Sequence, residues 1–469
     1  MIFSTGFDFK GNLNSNASKQ LIVSQLGFGD DINKALSIDS EYEVYTEDKS
    51  VEDKKVNPIS EQYFNVPGFI NDVMKYSLET APYPNKALAF SGALSLQCLL
   101  ASRKVRDSGD NRTNMYILSL AHSGTGKDWP RKVNIKVLNS IGMESNIANK
   151  FASGEGLEDT LNVTPAMLFQ TDEIDTMLQS MKNSNDGLHE RMMGSILEFY
   201  SSANSDYNIR KKASSSGTTS GGTINQPSLI IFGTAIPNHY YDALSDRMLT
   251  NGLFARMLII ESGGRENGQE VEIRSIPQST IDTSSWWANY KPNEGNLFMM
   301  NPRPRIIGHS ENAKSILVDC RKLADSYYKN SEKCNDIPGT TVWARVNEHA
   351  RKLALIHSIS ENPEAELIHE DSALWGMEFS MHQAKRMLYM IQDHGTESPF
   401  MDKYLKCLKK IKDSVKGMII HRDLIRQMRM GKDEFRKVID TLLDRGDIVE
   451  KHLQTKGRSQ HVYILINLN

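Results

Sequence analysis

The sequence predicts an α/β fold, in which a central parallel sheet is covered by flanking helical segments and a smaller C-terminal module follows. Three observations support this prediction. Four short apolar runs lie between residues 115 and 261, a glycine-rich turn follows the first run, and positive charge is concentrated after residue 400. Near-continuous apolar runs separated by segments long enough for helices are typical of parallel strands that are buried on both faces.

Length and composition set the limits of the prediction. The chain of 469 residues has room for two or three domains. Hydrophobic residues make up 39% and charged residues 24%, which excludes a disordered or collagen-like chain. The longest nearly apolar stretch, 87–101, is interrupted by Ser91, Ser95 and Gln97 and is shorter than a bilayer span, so no membrane contact is expected. The first residues resemble no secretory signal, and we expect a cytoplasmic protein.

Five segments are predicted along the chain. They are a partly ordered extension at 1–60, a helical part at 61–110, the α/β core at 111–265, a linker and helical region at 266–395 that completes the core domain, and the C-terminal module at 401–469. The four predicted strands are 115–120, 166–171, 228–233 and 256–261. Four dispersed cysteines indicate neither a zinc module nor a disulfide framework.

The turn after the first predicted strand has the composition of a phosphate-binding loop. It reads AHSGTGKD at 121–128 and leads into a helix, in whose first turn Pro130 is acceptable. In such a turn, successive backbone N–H groups surround a phosphate chain and a lysine reaches the β- and γ-phosphates. We therefore expect ATP to be bound by Ser123, Gly124, Thr125, Gly126, Lys127 and Asp128.

Two positions depart from the usual phosphate loop. Ala121 replaces the opening glycine, and Asp128 replaces the serine or threonine whose hydroxyl binds Mg²⁺. A carboxylate at Asp128 can bind the ion directly or through water, but it adds negative charge beside the triphosphate. The sequence therefore leaves open how the metal is held.

Two carboxylates directly follow the second predicted strand. Asp172 is expected to orient Mg²⁺ and its waters, and Glu173 is expected to polarise the attacking water. Acidic residues are also favourable at a helix N-terminus, and this second interpretation is compatible with the first. The strands, the loop and the carboxylate pair together predict a nucleotide-binding enzyme.

Thr234 and Arg256 extend the candidate site. Thr234 ends the third predicted strand, where it would contact the γ-phosphate or the attacking water, and the alternative is a threonine that only forms a turn. Arg256 begins the fourth strand and is a candidate arginine finger for an adjacent subunit's nucleotide, the alternative being a surface ion pair. Arg345, Glu348 and Lys352 recur at helical spacing, which indicates ion pairs along one helix. A second nucleotide sensor at Arg345 is the less favoured interpretation.

The C-terminal module is basic. Between 401 and 469 there are sixteen Lys or Arg and nine Asp or Glu residues, a net charge of +7, whereas the whole chain carries −3. Its pattern of helix, turn, helix and two short strands is similar to a winged helix. Protein docking and a purely structural role are the alternatives. The candidate DNA contacts on the second helix and the wing are Lys432, Arg436, Lys437, Lys456 and Arg458.

The ordered set of motifs resembles the ATPase halves of phage and mobile-element primase–helicase proteins, which are P-loop NTPases. The resemblance covers residues 62–390 and rests on YFNVPGFINDV, AHSGTGKD, FASGEGLEDTL, MLFQTDEID, SLIIFGTAIPNHYYDAL, NGLFARMLII and ARVNEHARKLALI. It implies a RecA-like or AAA-like motor that forms a ring, with a hexamer expected, around single-stranded DNA. It also implies that ATP is bound between subunits, and it offers Glu155 as a rival to Glu173 for the catalytic carboxylate.

The resemblance also gives a place for the DNA. Arg210, Lys211 and Lys212 precede a Ser/Gly/Thr run just before the third predicted strand, and a loop at this position would face the channel of a ring motor. A surface loop with a chance basic cluster is the alternative.

We therefore expect an ATP-dependent helicase or translocase that acts on single-stranded or forked DNA in phage or mobile-element replication. The first 60 residues carry no primase signature, so a primase would be a separate partner. The alternative functions are an ATP-switched replication initiator or helicase loader and, less favoured, a metabolic or signalling ATPase.

Overall fold

The computed structural model describes most of the chain after residue 55. The described residues are 56–150, 153–172, 174–183, 187–210, 222–243, 248, 251–292, 300–394, 399–414, 417–444, 447–454 and 459–466. Nearly all of the predicted extension at 1–60 therefore lies outside them. The chain divides into two compact units, Met1–Met387 and Leu388–Asn469.

The described residues form both α-helices and β-strands. The α-helices are α1 (Phe69–Thr80), α2 (Lys86–Leu100), α3 (Trp129–Ser140), α4 (Gly154–Val163), α5 (Ile174–Asn183), α6 (Gly187–Ser201), α7 (Pro237–Ala243), α8 (Gln278–Asn289), α9 (Glu311–Lys333), α10 (Ile337–Glu361), α11 (Glu370–His394), α12 (Pro399–Lys412), α13 (His421–Met428) and α14 (Lys432–Asp444). The strands are β1 (Val105–Asp107), β2 (Tyr116–Leu120), β3 (Ile147–Ala148), β4 (Ala166–Thr171), β5 (Asp206–Asn208), β6 (Thr223–Asn225), β7 (Ser228–Ala235), β8 (Met257–Glu261), β9 (Arg305–His309), β10 (Leu367–Ile368), β11 (Met418–Ile420), β12 (Ile448–Gln454) and β13 (Ser459–Leu465).

The first unit is built on a parallel sheet, as predicted. Its described strands lie in the order β3-β4-β7-β2-β8, and each neighbouring pair is parallel. The four predicted apolar runs form β2, β4, β7 and β8. Every residue of β2 and β7 is buried, which explains why these strands show no alternation of polar and apolar residues.

Helices cover both faces of this sheet. Ile117 of β2 belongs to the core that contains α2, whereas the neighbouring Tyr116 contacts the ring of Tyr200 on α6 at a centroid distance of 5.0 Å. Successive residues of a strand point to opposite faces, so α2 and α6 lie on opposite sides of the sheet. The mixed α/β class with flanking helices is thus confirmed.

Helix α2 is the centre of the first core. All of its residues after Lys86 are buried, and Gly92 lies so close to α3 that an added Cβ would be 2.6 Å from Cβ of Pro130. Two polar residues are satisfied within the helix, because Ser91 Oγ donates to Ala87 O and Ser95 Oγ donates to Gly92 O. Among the described helices, none is long and apolar enough to cross a bilayer.

Two smaller strand groups of the first unit were not predicted. β1, β9 and β10 form a parallel sheet, and β5 and β6 form an antiparallel hairpin. These strands have two to five residues each, which is too short for a clear hydrophobic period.

The second unit has its own core. Helices α12, α13 and α14 pack with an antiparallel sheet in the order β11-β13-β12. Tyr404, Leu424, Val438, Ile448 and Tyr463 are among its buried apolar residues. The predicted order of two helices and two strands is therefore present, with β11 as an additional strand.

Gly68 at the start of α1 is predicted to be essential for stability. Its φ is +75°, and an added Cβ would lie 1.9 Å from the carbonyl oxygen of Ser360 on α10. Gly68→Ala should lower the free energy of unfolding of the first unit by about 2–4 kcal/mol. Urea titration followed by tryptophan fluorescence measures this unit alone, because all five tryptophans lie in it.

The matched control is Gly194→Ala in α6, where an added Cβ meets no atom within 4 Å. This change should leave stability unchanged or raise it by about 0.5–1 kcal/mol, because alanine is the better helix former. Equal effects of the two substitutions would contradict the close approach of Gly68 to α10.

Candidate functional site

The glycine-rich loop 121–128 lies at the carboxyl edge of the parallel sheet, where β2 ends and α3 begins. The backbone N–H of Ala121 donates to Ala235 O at 2.9 Å, which ties the start of the loop to the end of β7. Thr125 is buried, and its hydroxyl donates to His122 O at 2.7 Å. Gly124 and Gly126 have φ of +79° and +81°, a conformation that other residues adopt only with strain. The loop is thus a closed turn that faces the N-terminus of a helix.

The close approach of Tyr83 also requires a glycine at position 126. An added Cβ at this position would lie 2.5 Å from the carbonyl oxygen of Tyr83, so the segment before α2 passes directly over the loop. Tyr83, Gly126, Trp129 and Pro130 contribute to the wall of a small pocket beside the start of α3. This contact could not be predicted from the sequence, because the whole of α2 lies between Tyr83 and the loop.

Asp172 and Thr234 are brought into direct contact. The hydroxyl of Thr234 donates to Asp172 Oδ1 at 2.7 Å, although the two residues are 62 positions apart. Parallel pairing places them together, because Thr171 of β4 is opposite Gly233 of β7. Thr234 is fully buried, whereas the side chain of Asp172 is 48% exposed, so the carboxylate remains accessible to a ligand.

Arg131 completes this group and was not predicted. Its Nη2 lies 3.0 Å from Asp172 Oδ2, and its Nη1 donates to the hydroxyl of Thr234 at 3.0 Å. Arg131 lies in the first turn of α3, and its place four residues after the loop lysine Lys127 was the available signal. We refer to Asp172, Thr234 and Arg131 as the carboxylate network.

The carboxylate network keeps Asp172 ionised. Burial acts to raise the pKa of its carboxyl, but hydrogen bonds from Arg131 and Thr234 and the charges of Arg131 and Lys127 outweigh burial and lower the pKa. The influence of Lys127 also indicates that its ammonium lies near the carboxylate of Asp172.

Both carboxylates that were predicted to bind Mg²⁺ are paired with cations of α3. Asp128 is exposed and lies 2.5 Å from Lys132 Nζ, and Asp172 is paired with Arg131. Within the described part of the chain, no group of three or more His, Cys, Asp or Glu side chains is placed to hold a metal alone. Mg²⁺ often binds through one or two carboxylates together with substrate phosphates, and the accessible Asp172 fits that arrangement.

Arg256 lies at the opposite, amino edge of the sheet. It directly precedes Met257, which is paired with Tyr116 at the beginning of β2. The side chain is only 9% exposed, and its guanidinium donates to Gly252 O at 3.0 Å and lies 5.6 Å from the ring of Tyr200. In this conformation Arg256 faces its own chain, and its role as a finger toward another subunit stays a prediction.

Arg256 belongs to a buried polar group that we call the Tyr200 cluster. The members contributed by α10 contact Tyr200 or one another: His349 Nε2 is 3.0 Å from Tyr200 Oη, and Lys352 Nζ is 3.9 Å from the ring. Glu348 accepts from Lys352 and Arg345 at 3.1 Å and 2.9 Å. The cluster consists of Tyr200, Arg256, Arg345, Glu348, His349 and Lys352.

The titration of the Tyr200 cluster follows from burial and charge. Burial acts to raise the pKa of Glu348, but the charges of Lys352, His349 and Arg345 outweigh it and lower the pKa to about 2. Burial lowers the pKa of His349 to about 4. At neutral pH the cluster therefore contains a neutral histidine, one carboxylate and three cations.

The remaining predicted residues are placed as follows. Arg210 lies at the base of the β5–β6 hairpin, with its Nε 3.5 Å from Oε1 of the fully buried Glu158. Glu155 is exposed in the first turn of α4, and Lys432 and Arg436 are exposed on α14. The side chains of Glu173, Lys211, Lys212, Lys437, Lys456 and Arg458 lie outside the described residues.

Strands β5 and β6 flank the basic segment in the sequence. They are antiparallel, and Ile209 N donates to Gly222 O at 2.9 Å. Lys211 and Lys212 lie between these two residues and outside the described part of the chain, so their channel-facing role stays a prediction.

Comparisons with known proteins do not assign the chain to a family. It matches no protein-family model and no curated protein. The proposed function consequently rests on the geometry of the loop, on the carboxylate network and on the resemblance of the motifs.

The pair of Glu348 and Lys352 is predicted to stabilise the first unit in a pH-dependent way. Glu348→Gln would leave Lys352, whose side chain is 4% exposed, without its carboxylate, and should cost about 3–5 kcal/mol of the free energy of unfolding at pH 7. Because the pKa of Glu348 falls from 4.5 to about 2 on folding, the stabilisation is present at neutral pH and is lost as the pH falls toward 2.

Urea titrations at pH 7 and at pH 3, followed by tryptophan fluorescence, measure this difference. The double variant Glu348→Gln with Lys352→Met is the control, since it removes both charges and should recover most of the loss. An equal loss in the single variant at both pH values would contradict the assignment.

Proposed function

We propose that the chain is an ATP-dependent DNA helicase or translocase of the P-loop NTPase type, which acts in the cytoplasm as a ring, expected to be a hexamer, on single-stranded or forked DNA. The observation that supports this most strongly is the convergence of loop 121–128, Asp172 and Thr234 at the carboxyl edge of one parallel sheet. Ligands of open α/β sheets bind at this edge, and the loop, the lysine and the carboxylate are the groups that phosphoryl transfer requires.

The residues of the candidate site divide the chemistry among them. The backbone N–H groups of loop 121–128 and the ammonium of Lys127 bind the β- and γ-phosphates. Asp172 would hold Mg²⁺, which neutralises phosphate charge when it is bound with the nucleotide. Thr234, which already donates to Asp172, fixes the carboxylate and would sense the γ-phosphate. Activation of water is assigned to Glu173, with Glu155 as the rival.

Two basic elements support DNA as the partner. Lys211 and Lys212 lie between β5 and β6 in the sequence, and the resemblance assigns this segment to a ring channel. The second unit combines helices α13 and α14 with the hairpin β12–β13 and exposes Lys432 and Arg436, which is the arrangement expected of a winged helix. A primase would be a separate partner.

One observation favours a second candidate function. Arg131 already forms an ion pair with Asp172. Asp128 stands where the usual hydroxyl ligand of the metal would be, and it is paired with Lys132. Such a site suits a protein that binds ATP as a switch and hydrolyses it slowly, such as a replication initiator or helicase loader. Low ATP turnover that is equal with and without single-stranded DNA would support this function over the helicase.

Lys127 and Arg256 are predicted to act on the same nucleotide from different subunits. Lys127→Ala should abolish ATP hydrolysis and unwinding of a forked duplex, and Arg256→Ala should lower the rate of hydrolysis by about 10³-fold or more. Mixing the two variants should restore part of the ATPase rate, because one variant supplies the intact loop and the other supplies the arginine. The measurements are phosphate release and strand displacement.

Melting curves of both variants are the control for folding, since Arg256 is buried. Unwinding that survives Lys127→Ala would eliminate the helicase proposal. Two folded variants whose mixture stays inactive would show that Arg256 does not act between subunits.

Lys432 and Arg436 are predicted to contact DNA phosphates. The double variant Lys432→Gln with Arg436→Gln should weaken DNA binding and lower the slope of log affinity against log salt by about 1 for each lost contact. Fluorescence anisotropy of the full chain with labelled DNA at several salt concentrations measures this slope.

The matched control is Lys329→Gln with Lys333→Gln on α9, a pair with the same spacing of four residues and equally exposed. It removes the same charge and should leave the slope unchanged. If both double variants behave alike, the second unit has no specific role in DNA binding.

A further inference from the structure

One arginine lies beside loop 121–128 without having been assigned a role. After β8 the chain passes through Ser262, Gly263 and Gly264 and brings Arg265 back to the carboxyl edge of the sheet. The guanidinium Cζ of Arg265 is 3.9 Å from the centre of the Tyr83 ring. Its Nη1 is 3.5 Å from the point where a Cβ on Gly124 would lie. Arg265 therefore stands directly against the backbone of the glycine-rich loop.

The donors of Arg265 are available to a ligand. Arg265 is exposed, and the contact with the Tyr83 ring is the interaction that the described residues give it. A guanidinium carries five N–H donors in a planar fork that matches phosphate oxygens. A stack on an exposed aromatic ring is weaker than a charge-assisted hydrogen bond to phosphate. An anion in the loop would therefore compete successfully for Arg265.

The backbone around Arg265 contains two unhindered glycines and is held by a hydrogen bond on each side. An added Cβ at Gly263 or Gly264 meets no atom within 4 Å, and Gly263 has φ of +68°. On one side, Ser262 O accepts from Asn85 Nδ2 at 2.9 Å. On the other side, Gln269 N donates to Pro82 O at 2.9 Å. The segment between these anchors is short and lies open to solvent, so Arg265 can turn without displacing the core.

We propose that Arg265 binds the phosphate chain of the nucleotide held by loop 121–128 of the same chain, and that the Tyr83 ring is its resting place when no phosphate is bound. This inference rests on the proposed function, since it requires that the loop binds a nucleotide. It gives Arg265 a different task from Arg256, which lies at the opposite edge of the sheet. It also supplies positive charge on the open side of the loop, where Asp128 adds a negative charge that phosphate loops normally lack.

The test measures binding of Mg-ATP and of inorganic triphosphate to the full chain by isothermal titration calorimetry. Arg265→Gln should weaken both ligands by about 10–100-fold, because it removes a charge-assisted contact to phosphate. Tyr83→Leu, which removes the resting place but no phosphate contact, should not weaken triphosphate binding. Arg274→Gln is the matched control, since Arg274 is an exposed arginine of the same segment that is paired with Glu79 at 3.4 Å, and it should leave both affinities unchanged.

The outcomes separate the inference from the proposed function. If Arg265→Gln weakens ATP but leaves triphosphate unchanged, Arg265 recognises the base or the sugar and the inference is wrong. If Lys127→Ala loses ATP while Arg265→Gln keeps full affinity for both ligands, the inference alone fails. If the wild type binds neither ligand, or Lys127→Ala binds ATP as well as the wild type does, the proposed function fails and the inference fails with it.

Discussion

The candidate site depends on the parallel pairing of β7 with the strands on either side of it. β7 is paired with β2, so that Leu120 is opposite Ala235, and with β4, so that Thr171 is opposite Gly233. These two registers bring loop 121–128, Asp172 and Thr234 to one edge, although they come from three distant parts of the chain. A slip of one residue in β7 would turn Thr234 to the other face of the sheet and break its bond to Asp172. The burial of every residue of β7 opposes such a slip.

Charge balance is the second constraint on this edge. Arg131 and Lys132 lie in the first turn of α3 and Lys127 lies two residues before the helix, and two of these cations already neutralise carboxylates. The helix N-terminus adds partial positive charge in the same place. A phosphate chain would therefore enter a site whose carboxylates are already neutralised by neighbouring cations. It follows that any metal binding by Asp172 would be linked to the position of Arg131, because both would use the same carboxylate.

Much of this arrangement could be predicted from the sequence, and the missing parts have a common physical cause. The strands that carry the site are runs of buried apolar residues, and a Gly-rich turn before a helix has a strong local signature, so both are visible in the chain. Arg131, Tyr83 and Arg265 were missed because their roles depend on contacts with distant residues. The burial of Arg256 was also not predictable, since NGLFARM gives no sign that Tyr200 and α10 enclose the guanidinium. The sheet of β1, β9 and β10 is too short to produce a period.

Under the proposed function, the carboxyl edge of the sheet binds the nucleotide and the amino edge, with Arg256, faces the next subunit. Nucleotide binding and assembly would then be linked. Among the described residues, no carboxylate lies within ion-pair distance of Arg256, and its burial lowers the pKa of the guanidinium, with repulsion from Arg345 in the same direction. The charge of Glu348, in the same cluster, offsets these effects only in part. An incompletely compensated buried cation is unfavourable, so an anion that reached this edge from a second copy would gain from the charge already in place. Any ligand that binds better to the assembled form must also favour assembly. In a ring, the phosphate held at the carboxyl edge of one subunit would be that anion for the amino edge of the next, and nucleotide would then stabilise the oligomer without any change in the fold of either subunit.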